Sequence, residues 1–442
     1  MTQIDLAWGE GPSDRYETLA ARFRPIFAEI AEGALDRELN RTLPTEEIAK
    51  LKSAGLGALR VPEAEGGFGA TLPELFNILI ELSHADSNIT QALRGHFGFA
   101  EDVVNKAEGP DRRRWTERLV RGEIAGNAWT EIGNASQEAF STRISRKDGR
   151  LLLNGTKYYT TGSLFADWVD VGATGLDGEG ITVQVRRNDP GVEVIDDWDG
   201  FGQILTASGT TVFTDALVDP ADVIVDDGKF RYGAAFYQTV HLATLAGLGR
   251  AIADETAAAV AKRARSYSNA PHPQPSRDPQ VLQVVGRIRS NAYTASAIVL
   301  QVAKSIERAY RAHFAGDAEA EERANAIAEL ETSQALTVVT NLILEASTIV
   351  FDALGASSTR KPLGLDRHWR NARTLASHNP RIYKDRIVGD YAVNGTPPPY
   401  QWRIGLPPAP EETNVSSTKA AGKTASLSEP RTDSVRKQRG AA

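Results

Sequence analysis

Seven histidines and no cysteine set the chemistry open to this chain. Without a thiol, disulfides, thiolate nucleophiles and zinc–cysteine sites are excluded. His368 and His378 are not four residues apart and no His-Glu-x-x-His occurs, so the histidines lack metal-ligand spacing. His378 stands in Ser377-His378-Asn379-Pro380, where the proline forces the chain to turn. An imidazole with a pKa near 6.5 can exchange a proton there, or simply cap a helix. Arg370 and Arg373 have forked guanidinium groups that suit either a phosphate or ion pairs along a helix. Asn127, Trp129, Thr130, Tyr158, Thr160 and Thr161 gather in two short β-prone stretches. The threonines also fit an ordinary strand, and Trp129 also fits a core. His96 and Phe97, in Gly95-His96-Phe97-Gly98-Phe99, read either as a substrate-facing pair or as structure.

The elements that must hold these residues follow from hydrophobic period. Leu75, Ile78, Leu79 and Leu82 recur at spacings of three and four, which predicts a buried helix face in a helical region over residues 1–122. Between residues 123 and 231, short runs such as Ile181-Thr182-Val183-Gln184-Val185 alternate with Asp148-Gly149, Asp177-Gly178 and Asp189-Pro190-Gly191, predicting an antiparallel β domain. Helical period returns over 232–400, with Val281, Val285 and Ile288 opening one stripe and Ile298, Val302 and Ile306 continuing it. Residues 401–442 carry almost no large apolar side chains and read as a disordered tail. Helices, a β domain and helices again make an α+β arrangement, not an alternating βαβ one.

Bulk properties narrow the function classes. The chain has 442 residues, 41% hydrophobic and 24% charged, with a net charge of −7. This gives no reason to expect nucleic-acid binding, which calls for a basic patch. Met1–Glu10 has no basic and no apolar block of a secretory leader. No uninterrupted apolar run approaches the roughly 18 residues of a membrane span. The expectation is a cytoplasmic protein.

Several patterns in matching order resemble the acyl-CoA dehydrogenase superfamily: Gly57-x4-Pro62-Glu63-x2-Gly66-Gly67-x-Gly69, Ala128-Trp129-Thr130-Glu131, Asn154-Gly155-Thr156-Lys157-Tyr158-Tyr159-Thr160-Thr161-Gly162, Gly209-x3-Phe213-x-Asp215-x-Leu217-Val218-x-Pro220, Asp278-Pro279-x-Val281-x4-Gly286 and Arg370-Asn371-Ala372-Arg373. The resemblance implies an N-terminal helical domain, a central antiparallel β domain and a C-terminal four-helix bundle, assembled as a homotetramer around flavin. It places Asn127, Trp129, Thr130, Tyr158, Thr160, Thr161, Arg370 and Arg373 at the cofactor. A flavin ring needs an apolar slot and a few polar partners along its edge, and short side chains supply these without crowding it.

The chain departs from the family's dehydrogenases at two places. Where they carry a catalytic Glu, this chain has Arg373-Thr374-Leu375-Ala376-Ser377-His378-Asn379-Pro380, and in place of a Gly-Gly pair it has Leu354-Gly355-Ala356-Ser357. With Asp366-Arg367-His368-Trp369-Arg370-Asn371, these features resemble the two-component, desulfurisation-type flavin monooxygenases. That subgroup implies reduced FMN supplied by a separate flavin reductase (FAD being possible), reaction with O2 through a C4a-hydroperoxyflavin, and oxygenation of a small hydrophobic sulfur- or nitrogen-containing compound. By position, His378 is the proton donor, Thr160 the hydroxyl near flavin N5, and His96 and Phe97 face the substrate. The competing readings are an acyl-CoA dehydrogenase or oxidase with FAD and a relocated base, and a catalytically dead scaffold.

Overall fold

The computed structural model describes residues 8–132, 140–225 and 230–400; the expected disordered tail lies outside them. The first region holds α1 (Tyr16–Ala21), α2 (Arg24–Asn40), α3 (Thr45–Ser53), α4 (Leu72–Ala85), α5 (Ser87–Ala92), α6 (Arg94–Asn105) and α7 (Pro110–Val120). Helix α4 starts where Thr71 and Glu74 form a reciprocal capping box, with Pro73 in the first turn. Its Leu75, Ile78, Leu79 and Leu82 are fully buried, as their spacing predicts.

The second region is one sheet of β1 (Ala125–Ala128), β2 (Arg143–Lys147), β3 (Arg150–Lys157), β4 (Trp168–Thr174), β5 (Gly180–Arg186), β6 (Val192–Ile195), β7 (Thr210–Val218) and β8 (Val223–Val225). Its order is β6-β7-β3-β2-β4-β5-β8. The Asp148-Gly149 turn closes the antiparallel β2–β3 hairpin, with Lys147 opposite Arg150. The sheet is antiparallel in most pairs but mixed overall, because β1 runs parallel to β4, with Asn127 opposite Asp170. β1 enters from the helical region instead of from a hairpin, so no tight turn forces it to reverse.

The third region comprises α8 (Gly233–Lys262), α9 (Pro279–Ala315), α10 (Ala318–Leu354), α11 (Asp366–Ser377) and α12 (Lys384–Asn394). Three long helices pack on one another, and α4 of the first region also packs against α8 and α9. The bundle thereby borrows a helix from the opposite end of the sequence. α10 is long and apolar enough to cross a membrane by length and composition, with mean hydropathy 1.4. Its Leu336, Val339, Ile343 and Val350 are instead buried in the core shared by the first and third regions.

Two features fix the sheet against the helices. Gly162 has φ +77, and a side chain there would overlap the Ala92 carbonyl oxygen at the end of α5. The loop between β6 and β7 lies on α11: Gln203 N donates to Asn371 Oδ1, Phe201 stacks on Trp369 with centroids 5.9 Å apart, and Arg370 reaches the Phe201 carbonyl.

Candidate active site

Asn127 on β1 is the starting point. Its carbonyl accepts from Ser163 Oγ at 3.1 Å, and its side-chain Oδ1 is buried with no hydrogen-bond donor. An orphaned buried acceptor costs about 1–3 kcal/mol, which a ligand N–H can relieve. Helix α6 passes so close that a side chain at Gly95 would press into this oxygen. The preceding residue, Arg94, lies over the Tyr237 ring at 4.8 Å, and its Nε donates to the Tyr237 carbonyl at 3.4 Å. Tyr237 and His241 are one turn apart on α8, and the His241 ring lies 4.3 Å from that of His378 at the end of α11. Residues from β1, α6, α8 and α11 thus converge on one cluster.

This cluster is electrostatically unusual. His241 is 3% exposed and neither ring nitrogen has a partner. Burial pushes its pKa well below the ordinary value, and His378 and Arg94 add to the effect. His378, at the C-terminal cap of α11, is solvent-exposed. Dense surroundings, then the Arg94 charge, push it down; the Asn379 amide opposes them. Burial also lowers Arg94, to about 10. No carboxylate is among the groups acting on Arg94, His241 or His378. Both imidazoles are therefore neutral near pH 7.

The other expected site residues divide into two groups. Trp129 donates from Nε1 to Asp170 at 3.0 Å and meets the edge of Phe140; Thr130 and Tyr158 form a bridge, with Tyr158 N donating to Thr130 O at 2.8 Å. Thr161 pairs its hydroxyl with Ser208 Oγ at 2.7 Å, and Ser208 pairs with Thr206. These residues are half-buried beside the Asn127 strand and leave polar groups at a surface. Thr160 differs: it is fully buried, and its hydroxyl bonds the Gly209 carbonyl at 3.0 Å and Thr211 Oγ1 at 2.8 Å. Its expected place beside flavin N5 is corrected: the hydroxyl joins two β segments.

Two further corrections concern His96 and Phe97. His96 Nδ1 accepts from Ala125 N at 3.2 Å, and Nε2 donates to the Gly57 carbonyl at 3.0 Å. Both nitrogens are engaged and the ring is 1% exposed, so His96 cannot address a substrate. Phe97 is also buried, and the space both line is about 10 Å³, room for roughly one water. Arg370 is likewise structural, bonding Asp366, Glu38 and Phe201 O. Arg373 is half-buried with no carboxylate partner among the described residues, leaving it available for a phosphate. Glu131, beside the Trp129-Thr130 pair, anchors the buried Lys157 at 2.8 Å and takes the Ser141 and Thr142 amides. A larger recess of about 490 Å³ against Arg186 and Arg187 is lined by no residue of the histidine cluster.

Comparison with known proteins identifies the scaffold. Residues 13–123 match the family described as acyl-CoA dehydrogenase, N-terminal domain, and residues 239–380 match acyl-CoA dehydrogenase, C-terminal domain. The chain belongs to the acyl-CoA dehydrogenase superfamily. Among its relatives is a dibenzothiophene monooxygenase of Mycolicibacterium goodii, 28% identical over 375 residues, 79% of this chain and 87% of that protein. Another is the probable FMNH2-dependent monooxygenase SfnC of Pseudomonas putida, 25% identical over 390 residues, 85% of this chain and 94% of that protein. TdsC of Paenibacillus sp. A11-2, solved with FMN and indole, superposes with a TM-score of 0.77 at 24% identity, covering 88% of this chain and 99% of TdsC. At that identity the likeness shows the fold.

Sequence reasoning missed Arg94, Tyr237, His241 and Ser208. Arg94 lies beside the singled-out His96, and Tyr237 and His241 sit four apart on a helix whose apolar content masks them. Only the close approach of α6, α8 and α11 brings them together.

Proposed function

We propose that the chain is a flavin-dependent monooxygenase that receives reduced FMN from a separate flavin reductase and uses O2 to oxygenate a small sulfur- or nitrogen-containing compound. The observation that carries this reading is the neutral His241–His378 pair with no carboxylate acting on it. A dehydrogenase removes an α-proton and needs a base there; an oxygenating site must instead keep a proton at the reacting oxygen. The names of the dibenzothiophene monooxygenase and SfnC support the same direction.

Reduced FMN, when bound, supplies the electrons that activate O2. The chain's residues do the rest. Asn127 Oδ1, Thr161, Ser208 and Tyr158 offer polar contacts to the cofactor's edge, Trp129 an aromatic wall, and Arg373 a counter-charge for phosphate. His378 donates a hydrogen bond to the reacting oxygen. Its Nδ1 faces the Asn379 amide at 3.3 Å, and Asn379 Nδ2 is buried without a partner. Turning that amide over lets Nδ2 donate to Nδ1, which leaves the proton on Nε2. Leu354-Gly355-Ala356-Ser357, in place of a glycine pair, favours FMN over FAD. A homotetramer in the cytoplasm completes the proposal.

The decisive experiment mixes protein carrying photoreduced FMN with O2 and no substrate, following absorbance. The expected result is a lasting species that absorbs at shorter wavelength than oxidised flavin. His378→Ala should bind reduced FMN but release H2O2 as that species is lost. Direct return to oxidised FMN in the wild type, with bleaching of bound FAD by an acyl-CoA, would instead establish a dehydrogenase.

A further inference from the structure

Arg94 is a half-buried cation without a counter-charge among the described residues. Three buried guanidinium groups have one: Arg37 pairs with Asp86 at 2.9 Å, Arg60 with Glu101 at 2.7 Å, and Arg367 with Glu255; a fourth, Arg250, instead donates to Ser296 Oγ at 3.2 Å. Arg94 forms no ion pair with any described residue; its neighbours are the face of Tyr237, the Tyr237 carbonyl and the two neutral histidines. Desolvating a charge costs several kcal/mol unless it is paired. Beside it, His241 is almost wholly buried and has an imidazole N–H with no acceptor. A cation with no counter-charge among the described residues and an N–H donor with no acceptor thus lie in one cluster with His378.

We infer that Arg94, assisted by His241, is the receptor for an oxyanion carried by the substrate, a carboxylate or a sulfinate, so that the compound oxygenated is a small organic anion. The guanidinium fork matches two oxygens held on one atom. Burial lowers Arg94, and Arg94 in turn lowers both imidazoles; a bound anion relieves all three effects. The inference rests on the oxygenase reading and narrows its substrate class. A cofactor phosphate has the same chemistry, and the titration below separates the two sources.

The test uses the full chain saturated with oxidised FMN, so no turnover intervenes and the outcome is independent of the O2 experiment. Calorimetric titration compares benzenesulfinate with neutral methyl phenyl sulfone. Wild type should prefer the sulfinate by about tenfold or more, and Arg94→Gln should abolish that preference while leaving sulfone affinity unchanged. Arg94→Lys, which keeps the charge and loses the fork, should fall between them, and it serves as the test by itself if Arg94→Gln does not fold. In parallel, the preference for FMN over riboflavin should be equal in wild type and both variants. Absence of a sulfinate preference in wild type overturns the inference, as does its survival in the folded Arg94 variants. Collapse of the FMN-over-riboflavin preference assigns Arg94 to the cofactor phosphate instead.

Discussion

At His96 the ring accepts from the Ala125 amide and donates to the Gly57 carbonyl, an arrangement only a neutral imidazole can make. Burial lowers its pKa from the ordinary 6.5 to about 4. The unfolded chain therefore binds a proton below pH 6.5 that the folded chain refuses. The stabilisation is fully present above pH 6.5 and is lost as pH falls from 6.5 towards 4, by up to about 1.4 kcal/mol per pH unit. His241, also held neutral, adds a slope of the same sign. Urea-unfolding midpoints should be flat from pH 7 to 8 and fall steadily from 6.5 to 4.5. His96→Gln should be less stable at pH 7 but show a shallower acid slope; a slope equal to wild type would remove His96 as its source. His378 was singled out by its place in a motif, whereas His96 was ambiguous because its bonds go to backbone far away in sequence.

Between β3 and β4, the segment Tyr158–Gly162 belongs to the sheet as much as to any ligand surface. Thr160 hydrogen-bonds Gly209 and Thr211, and adjacent Thr161 turns to Ser208. The chain turns here, with Tyr159 and Gly162 at positive φ, so one threonine is inward and the other half-exposed. Thr160→Val should destabilise the protein by about 1–2 kcal/mol, because Thr211 Oγ1 loses its buried partner. FMN affinity should be unchanged within twofold. A tenfold loss of FMN affinity at unchanged stability would return Thr160 to the cofactor. Composition indicated a polar strand here; which hydroxyl was inward depended on pairing with residues some fifty positions later.

On the scale of the whole molecule, α11 joins the parts. Arg370 binds Asp366 on its own helix, Glu38 on α2 and the Phe201 carbonyl in the β6–β7 loop. Glu38 is largely buried, so removing the guanidinium leaves a poorly solvated carboxylate. Burial already raises the Glu38 pKa, and Arg370 is the first influence opposing it. Arg370→Ala should cost about 1–3 kcal/mol, discounted because Arg370 is partly exposed. The loop over residues 196–208 should become more susceptible to limited proteolysis. Unchanged thermal stability and cleavage would show that the other α11 contacts suffice.

The sequence by itself determined the order of helices, sheet and helices, because hydrophobic period and turn residues are local signals. It also determined the superfamily resemblance and the absence of a Glu from Arg373–Pro380, where His378 and Asn379 stand, since both are carried by contiguous motifs. Only the tertiary structure decided which polar residues are free to act. Thr160, His96 and Arg370 have their hydrogen-bonding groups engaged by residues distant in sequence. His241 stands out only because folding buries it beside His378 without partners, and Arg94 because no carboxylate among the described residues meets it. Desolvation and pairing depend on what packs around a side chain, and for this site that means four elements drawn from all three regions of the chain.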